Sequence, residues 1–430
     1  MNRIPLLLAL LLPATAKAAD APPNVVLILS DDQHWQDYGF MGHPQVHTPH
    51  LDRLAAQSLT FRHGYVPSSL CCPSLATIIT GRYPHEHHIT SNDPAKPPGI
   101  KPAAFQSSPA FLQGRQRMIE HLEAWPTLPK QLGQAGYLSF QTGKWWLGDF
   151  SHGGFTHGMS KGGRHGDDGL DIGRKTMQPI YDFIGMARRQ EKPFFLWYAP
   201  MMPHDPHTPP ARLLDKYRAK TPSLPVAKYW AMVEWFDETC GDLLGHLERE
   251  GLAENTIVVY ITDNGWITDP VNGRYAPKSK QSPYDGGLRT PILVRWPANA
   301  AFAPKSSDVP VISLDLFPTI LKACGLPLPE GLPGIDLADT AAVEARKTLT
   351  GECFTHNFVD IENPATSLRW RWILEDGWKL IVPAPQNEAG APELYHLAAD
   401  PHEEKNLVAP EAARVQTLRA KLDTWWPGTL

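Results

Sequence analysis

Residues 24–32 have the sequence NVVLILSDD, in which an uninterrupted apolar run ends at two carboxylates. A short run of aliphatic and β-branched residues predicts a strand that is buried on both faces, as in a parallel sheet. Further strands are predicted at residues 137–141, 193–198, 256–262 and 292–296. Amphipathic helical segments separate these strands. The alternation predicts an α/β fold in which helices cover both faces of a large, mostly parallel sheet.

Polar residues follow four of the predicted strands, at the point where each strand ends. They are Asp31 with Asp32, Lys144, His204, and Asp263 with Asn264. Ligands of parallel sheets bind beyond the carboxyl ends of the strands. We therefore expect these side chains to lie together in one composite site.

The two acidic pairs favour a metal ion at that site. Adjacent carboxylates such as Asp31 and Asp32 are costly unless a cation neutralises them. Ca²⁺ binds several oxygen ligands from Asp, Asn and carbonyl groups, and Asp263 and Asn264 offer two more side-chain oxygens. Each pair alone is also compatible with a simpler role, because Asp-Asn-Gly is an ordinary turn sequence. Two pairs at corresponding strand ends strengthen the case for calcium.

A pair of cysteines, Cys71 and Cys72, lies directly before a predicted helix. A helix N-terminus lowers the pKa of a thiol and attracts anions. A reactive thiol, a buried pair and a vicinal disulfide are all compatible with this position. Lys144, Lys280 and His204 could hold an anionic group and protonate a leaving group, although such residues also occur at surfaces and in turns.

Several helices and one irregular region are predicted between the strands. A helix begins at Pro49 and carries Leu59 on its apolar face, and a strongly amphipathic helix covers residues 227–250. The proline-rich residues 93–125 predict an irregular surface excursion.

The character of the chain changes near residue 360. Residues 370–382 and 393–397 predict antiparallel strands, and residues 411–426 predict a closing amphipathic helix. We therefore expect a large catalytic domain over residues 19–360 and a small C-terminal subdomain over residues 361–430.

The first residues have the features of a secretory signal peptide. Arg3 supplies a positive charge, residues 4–12 are apolar, and Ala16-Lys17-Ala18 resembles a cleavage site. The apolar run is too short to span a bilayer, and a buried N-terminal helix is the alternative. We expect a signal peptide at residues 1–18, a periplasmic or secreted protein, and no stable membrane association.

The bulk composition limits the class of partner. The chain has 430 residues, 42% of them hydrophobic, which suffices for a large core. The formal net charge is −5 and there is no basic run, so we expect no nucleic acid as a partner. The five cysteines form an odd set without the spacing of a disulfide framework.

The order of short motifs resembles that of the type I, formylglycine-dependent sulfatases of the alkaline-phosphatase-like superfamily. The resemblance spans nearly all of the chain after the signal peptide. The matching segments are residues 24–32, 48–52, 71–75, 80–82, 143–148, 203–206, 263–265, 280–291, 315–319 and 394–407.

The resemblance implies a specific chemistry. Cys71 would be oxidised to 3-oxoalanine (formylglycine) by a formylglycine-generating enzyme, a transient partner. One hydroxyl of the aldehyde hydrate would attack the sulfur of a sulfate ester, and the second would allow sulfate to leave. Lys144 and Lys280 would bind sulfate oxygens, and His204 would protonate the leaving oxygen. Ca²⁺ would be held by residue 71 and four oxygen ligands, which are Asp31, Asp32, Asp263 and Asn264. The substrate would be a sulfated carbohydrate or another sulfate ester.

Two residues depart from the family pattern. Leu75 occupies a position where the family usually has arginine, and Trp146 a position where it usually has histidine. The departures imply either a subfamily with a rewired site or a catalytically inactive glycan-binding relative. A phosphate or phosphonate ester hydrolase of the same superfamily is a further alternative, because two lysines, one metal ion and a formylglycine could also serve a phosphoryl group. Candidate replacements for the missing polar groups, and one further candidate for substrate contact, are Arg164, His165, His85, His87, His88 and His207.

Overall fold

A nine-stranded sheet forms the centre of the protein. The computed structural model describes residues 21–386 and 390–429, so the predicted signal peptide at residues 1–18 lies outside the described residues. The strands of this sheet are β1 (Asn24–Ser30), β2 (Leu59–Tyr65), β3 (Leu138–Gly143), β4 (His157–Gly158), β5 (Phe194–Ala199), β6 (Thr256–Thr262), β7 (Arg289–Arg295), β8 (Lys305–Ser307) and β9 (Val311–Ile312).

The order of the strands is β4-β3-β5-β1-β6-β7-β2-β8, and β9 also pairs with β2. β1 lies between β5 and β6 and is parallel to both. β7 runs antiparallel to both of its neighbours, β6 and β2. The prediction of a mostly parallel α/β sheet is confirmed, with β7 as the strand of opposite direction.

Alternate residues of β1 enter different hydrophobic cores. Val25, Leu27 and Leu29 pack into the core on one face of the sheet, whereas Val26 and Ile28 pack into the core on the other. All five side chains are buried, and burying each contributes about 1.5–3 kcal/mol. Burial on both faces explains why residues 25–29 of the strand are all apolar.

Helices cover both faces of the sheet and the loops around it. They are α1 (Pro49–Ala56), α2 (Cys71–Thr80), α3 (Pro84–His87), α4 (Pro102–Phe105), α5 (Pro109–Glu123), α6 (Leu128–Gln134), α7 (Gln178–Arg189), α8 (Ala211–Arg218), α9 (Leu224–Arg249), α10 (Asp285–Leu288), α11 (Leu316–Ala323), α12 (Thr340–Ala345) and α13 (Ala412–Trp425). Among the described residues, no helix has both the length and the apolar character needed to cross a membrane.

Two predictions of local structure were wrong. The region 93–125, expected to be irregular, contains α4 and α5, and the Ser108 hydroxyl caps α5 by accepting a hydrogen bond from the Phe111 amide. Leu59 was expected on the apolar face of a helix. It begins β2 instead, because α1 ends at Ala56 and Leu59 pairs with Val294 of β7.

A second sheet follows the first. Its antiparallel strands, in spatial order, are β10 (Thr348–Phe354), β11 (Leu368–Glu375), β12 (Trp378–Pro383) and β13 (Glu393–His396). Helix α13 packs against it through Val415, Leu418 and Leu422. This sheet and helix confirm the expected C-terminal architecture. The first strand begins at Thr348, earlier in the chain than the expected boundary at residue 361.

Candidate active site

The carboxyl ends of four parallel strands converge on one buried cluster. Asp31 follows β1, Asp263 follows β6, and Lys144 follows β3. The Lys144 ammonium lies 2.6 Å from Asp31 Oδ1 and 3.2 Å from Asp263 Oδ2. His204 follows β5, and its Nε2 lies 3.5 Å from Asp32 Oδ2. The structure therefore brings together the side chains that the sequence placed at separate strand ends.

Lys280 enters the same cluster from a loop. Its ammonium lies 2.6 Å from Asp32 Oδ2. The next residue, Gln281, donates its backbone N–H to the Ser69 carbonyl, 2.9 Å away, and this bond joins the loop to the segment before α2. Lys280 is nearly fully buried. The two lysines thus contact different carboxylates of one acidic cluster.

Cys71 is the first residue of α2 and is completely buried. One side-chain oxygen of each of Asp31, Asp32 and Asp263 lies within 4.8 Å of the others and of the Cys71 sulfur. Asn264 joins this group, because its amide nitrogen lies 2.6 Å from Asp32 Oδ1. All four predicted oxygen ligands therefore surround the predicted nucleophile position.

The cluster fits a hard cation. Asp31 Oδ2 and Asn264 Oδ1 are buried and have no hydrogen-bond partner among the described residues. Buried polar atoms are rarely left without a partner, so these two oxygens are well placed to coordinate a cation. Three carboxylates and an amide oxygen match the donor set that Ca²⁺ prefers.

Burial and neighbouring charges shift the pKa values of the site. Burial raises the pKa of Cys71 to about 12, although Lys144 and Lys280 oppose the change. An unmodified thiol here is consequently a poor nucleophile, because the thiolate is the reactive form. Burial and then Asp31 raise the pKa of Asp263 to about 7. Against burial, which raises it, Lys280 and His204 lower the pKa of Asp32 to about 2.

A cleft of about 350 Å³ opens above the cluster. His204 and Lys280 reach it from the acidic cluster. The other lining side chains are Asn92, Trp146, Arg164, His165, Asp205, Trp266, Arg274, Tyr275, Gln281 and His356. The cleft therefore combines cations with aromatic rings, and two residues from the candidate replacements, Arg164 and His165, lie in it.

The remaining histidine candidates lie elsewhere. His85 pairs with the buried Glu352, His87 Nε2 contacts Thr77, and His88 bonds the Ile361 carbonyl. None of these three histidines lines the cleft. They were reasonable candidates in the sequence because they follow the cysteine segment closely, but the turn after α2 directs them away.

His207 is half-buried beside the cleft. Its ring packs near Tyr229 and Trp266, and its Nε2 has no hydrogen-bond partner within the described part of the chain. Burial lowers the pKa of His207 to about 4. The side chain is therefore an uncharged part of the wall behind Trp266.

The two departures from the family pattern are both apolar in effect. Leu75 is buried in the core of one sheet face. Trp146 is buried, and its Nε1 has no partner among the described residues. The Arg164 guanidinium lies 4.3 Å from the centre of the Trp146 ring.

Sequence analysis missed Asn92. Its side-chain oxygen accepts a hydrogen bond of 2.8 Å from the backbone N–H of Cys72, and the residue lines the cleft. Asn92 thus both binds the N-terminus of α2 and forms part of the cleft wall. The only signal in the sequence is an Asn-Asp pair in a polar stretch, which is also typical of a turn.

Family comparison agrees with the geometry. A model of the Sulfatase family matches residues 23–326 of the 430-residue chain. The chain belongs to the sulfatase family. The C-terminal model of N-sulphoglucosamine sulphohydrolase matches residues 273–425 of this sulfatase. The protein is therefore a sulfuric ester hydrolase.

Individual relatives cover most of the sulfatase. N-acetylgalactosamine-6-sulfatase of Mus musculus is 31% identical over 375 residues, which are 76% of this chain and 67% of the relative. Arylsulfatase A of Homo sapiens is 30% identical over 384 residues, covering 77% and 70%. A protein solved in complex with its substrate D-glucosamine-2-N,6-O-disulfate superposes with a TM-score of 0.73 at 22% identity, covering 95% of this chain and 98% of that chain.

Proposed function

We propose that this sulfatase removes sulfate from a sulfated carbohydrate, using 3-oxoalanine (formylglycine) formed from Cys71 and a bound calcium ion. One observation carries the proposal: Asp31 Oδ2 and Asn264 Oδ1 are orphaned oxygens in the acidic cluster that surrounds the buried Cys71. The sugar sulfatases among the relatives support the class of substrate.

Calcium would supply positive charge for a sulfate oxygen. An aldehyde hydrate at position 71 would supply a hydroxyl nucleophile, with a second hydroxyl on the same carbon. Asp31, Asp32, Asp263 and Asn264 would hold the cation. The chain itself supplies the remaining groups.

Lys144 and Lys280 bind and orient the sulfate group from two sides of the acidic cluster. Their ammonium groups contact different carboxylates, Asp31 and Asp32, so both are present where the negative charge of the reacting sulfate must lie. His204 reaches the cleft beside Asp32 and holds the proton that passes to the leaving oxygen.

The cluster at the cleft supports one metal ion rather than two. Within residues 21–386 and 390–429, three of the four groups able to hold a metal overlap at Asp31 or Asp32. The fourth consists of His88, His121 and Glu362, and none of them lines the cleft. A single cation site favours a sulfatase over a two-metal phosphatase of the same superfamily.

Mass spectrometry and product analysis test the proposal. In protein made together with a formylglycine-generating enzyme, the tryptic peptide 63–82 should lose about 18 Da relative to cysteine. The modified protein should release sulfate, and not phosphate, from sugar esters in a calcium-dependent way. Cys71→Ala should abolish release, whereas Cys324→Ala, on the half-buried α11 cap, should not. A residue 71 that remains a thiol in active protein would refute the mechanism.

We also propose that the protein is exported to the periplasm or secreted. The charge at Arg3, the apolar residues 4–12 and the Ala16-Lys17-Ala18 site support this proposal. Sequencing the N-terminus of the protein from the extracytoplasmic fraction should show residues 1–18 removed, and an intact Met1 in that fraction would refute the cleavage.

A further inference from the structure

The loop at residues 162–166 is pressed against the turn that carries Lys144. A Cβ on Gly166 would lie 2.1 Å from the Gly143 carbonyl oxygen, so only glycine permits this approach. The Trp145 N–H donates to the His165 carbonyl at 3.2 Å. The backbone of His165 is therefore held in a fixed position against the segment that carries Lys144.

His165 itself has a backbone φ of +77°. This left-handed conformation is unfavourable for a residue with a Cβ and free of cost for glycine. Glycines are plentiful in this loop, at positions 162, 163 and 166. A histidine that keeps this conformation at the cleft, where glycine would carry no strain, is a candidate for a functional side chain.

Arg164 fixes the orientation of the His165 ring. Asp93 accepts two hydrogen bonds from the Arg164 guanidinium, 3.0 Å from Nε and 2.9 Å from Nη2, while the guanidinium stacks on Trp146. Arg164 Nη1 lies 2.6 Å from His165 Nε2. Because a guanidinium only donates, Nε2 must accept, and the neutral imidazole carries its hydrogen on Nδ1.

The Nδ1–H of His165 faces a space without protein partners. His165 lines the cleft, and its ring centre lies 6.2 Å from that of His204. Nδ1 makes no hydrogen bond within the part of the chain that the structure describes. Burial, then Arg164 and Lys144, lower the pKa of His165 to about 2, so the ring stays uncharged.

We propose that His165 donates a hydrogen bond from Nδ1 to an oxygen of the bound sulfate group, and that Arg164 is its positioning residue. This inference rests on the proposed function and adds a neutral donor beside Lys144, Lys280 and His204. Trp146, which stands where a histidine is usual, packs against both new residues and cannot reach an acceptor among the described side chains.

The first test replaces His165 by glycine. His165→Gly removes the donor and relieves the left-handed strain, so the melting temperature should stay equal or rise. The affinity for inorganic sulfate, measured by calorimetry in calcium buffer, should fall roughly 10- to 100-fold, and kcat/KM for an aryl sulfate should fall by a similar factor. A variant that binds sulfate and turns over substrate like the native protein would overturn the inference.

Two comparison variants sharpen this test. His88 also has a positive φ, +62°, but bonds the Ile361 carbonyl outside the cleft, so His88→Gly should leave sulfate affinity unchanged. His165→Asn keeps an amide donor and tolerates the left-handed backbone, so it should retain more sulfate affinity than His165→Gly. Equal losses in the asparagine and glycine variants would contradict donation from the side chain.

A spectroscopic signature separates direct contact from a structural role. Sulfate should shift the ¹⁵N resonance of His165 Nδ1 in the native protein, and Arg164→Lys should weaken this response by releasing the ring. An unshifted resonance at saturating sulfate would overturn the proposal. The proposed contact uses His165 Nδ1 and not residue 71, so sulfate binding can be measured separately from the modification of Cys71. A native protein that binds sulfate through His165 but cleaves no ester would therefore refute only the proposed function.

Discussion

The fold buries the ammonium group of Lys280 against a single carboxylate, that of Asp32. The ammonium lies 2.6 Å from Asp32 Oδ2, and Asp32 raises the pKa of Lys280 well above its usual value although burial opposes this. Lys280 therefore remains charged throughout the working pH range. Such a fixed charge beside the substrate space stabilises negative charge that develops in the reaction.

We predict that Lys280→Ala lowers kcat/KM roughly 100- to 1000-fold. The reason is the loss of one of the two lysine cations of the proposed sulfate site, while a calcium ion at the proposed metal site would still neutralise Asp32. Sulfate release from an aryl sulfate measures the effect, and circular dichroism checks the fold. Lys305→Ala, on the exposed edge strand β8, is the control and should keep full activity. Turnover by Lys280→Ala at the native rate would remove Lys280 from the mechanism.

Arg115 of α5 is another buried cation, and its two terminal nitrogens have no hydrogen-bond partner among the described residues. It is 7% exposed. Burial lowers the pKa of Arg115, with Cys72 as the strongest opposing neighbour. We predict that Arg115→Met raises the free energy of unfolding by about 1–3 kcal/mol, because it removes a desolvated donor. Urea denaturation measures this change, and a loss of stability would show that Arg115 is satisfied by bound solvent or ions.

At the residue scale, the sequence predicted the side chains at strand ends, but it missed the loop residues Asn92 and Asp93. Asp31, Asp263 and Lys144 follow apolar strands, so parallel pairing alone brings them together. Asn92 and Asp93 have no such periodic signal. Their contacts with Cys72 and Arg164 depend on how a long loop folds back, which no local pattern encodes.

At the scale of single elements, α2 is unusual because all ten of its residues are buried. It ends at Gly81, whose φ is +68° and whose N–H bonds the Thr77 carbonyl at 2.8 Å. A Cβ at this glycine would lie 2.7 Å from Cβ of Phe317 in α11. The C-terminal end of α2 is thus fixed both by its backbone conformation and by packing against α11.

We predict that Gly81→Ala destabilises the protein by about 1–3 kcal/mol, through backbone strain and crowding against Phe317. Urea denaturation measures the loss. Gly133→Ala is the matched control, because Gly133 lies in helix α6 with nothing within 4 Å of a new Cβ. That variant should be as stable as the native protein or more so. Equal stability of the two variants would show that α2 tolerates a different ending.

Helices and strands were predicted well where the apolar residues followed one clear spacing, and poorly where both helical and strand spacing fitted the same residues. The helix at residues 227–250 was found as α9, since its apolar spacing is sustained. Leu59 fits a helical face after Leu51 and Ala55, and only its pairing with β7 makes it part of a strand. The reversed direction of β7 likewise follows from a long-range partner and not from its own residues.

At the scale of the whole molecule, buried charges join the C-terminal sheet to the rest of the protein. Lys379 of β12 lies 2.8 Å from Asp285 of the large domain and 2.9 Å from Glu403. The C-terminal sheet is therefore part of the support of the segment 280–289, which carries Lys280. The sequence predicted both sheets, but it placed no residue of one against a residue of the other, because such contacts have no local signature.

A second link of the C-terminal sheet, to helix α3, depends on pH. Glu352 of β10 is fully buried and accepts hydrogen bonds from the His85 backbone N–H and from His85 Nδ1, both at about 2.9 Å. The His85 ring also stacks on Trp426 at 4.4 Å. Burial alone would lower the pKa of His85, but Glu352 outweighs it and the pKa rises above 6.5.

A raised pKa in the folded state means that this pair stabilises the protein fully below pH 6.5, and that the contribution is lost as the pH rises through the folded pKa. We predict that His85→Phe, which keeps the stacking on Trp426, destabilises the protein by about 3 kcal/mol below pH 6.5 and by less at higher pH. Urea denaturation at a series of pH values gives this difference. His396→Phe is the control, because the His396 ring also packs against a tryptophan, Trp378, but has no carboxylate partner among the described residues. A difference that stays constant with pH would mean that His85 and Glu352 hold α3 against β10 without a titrating proton.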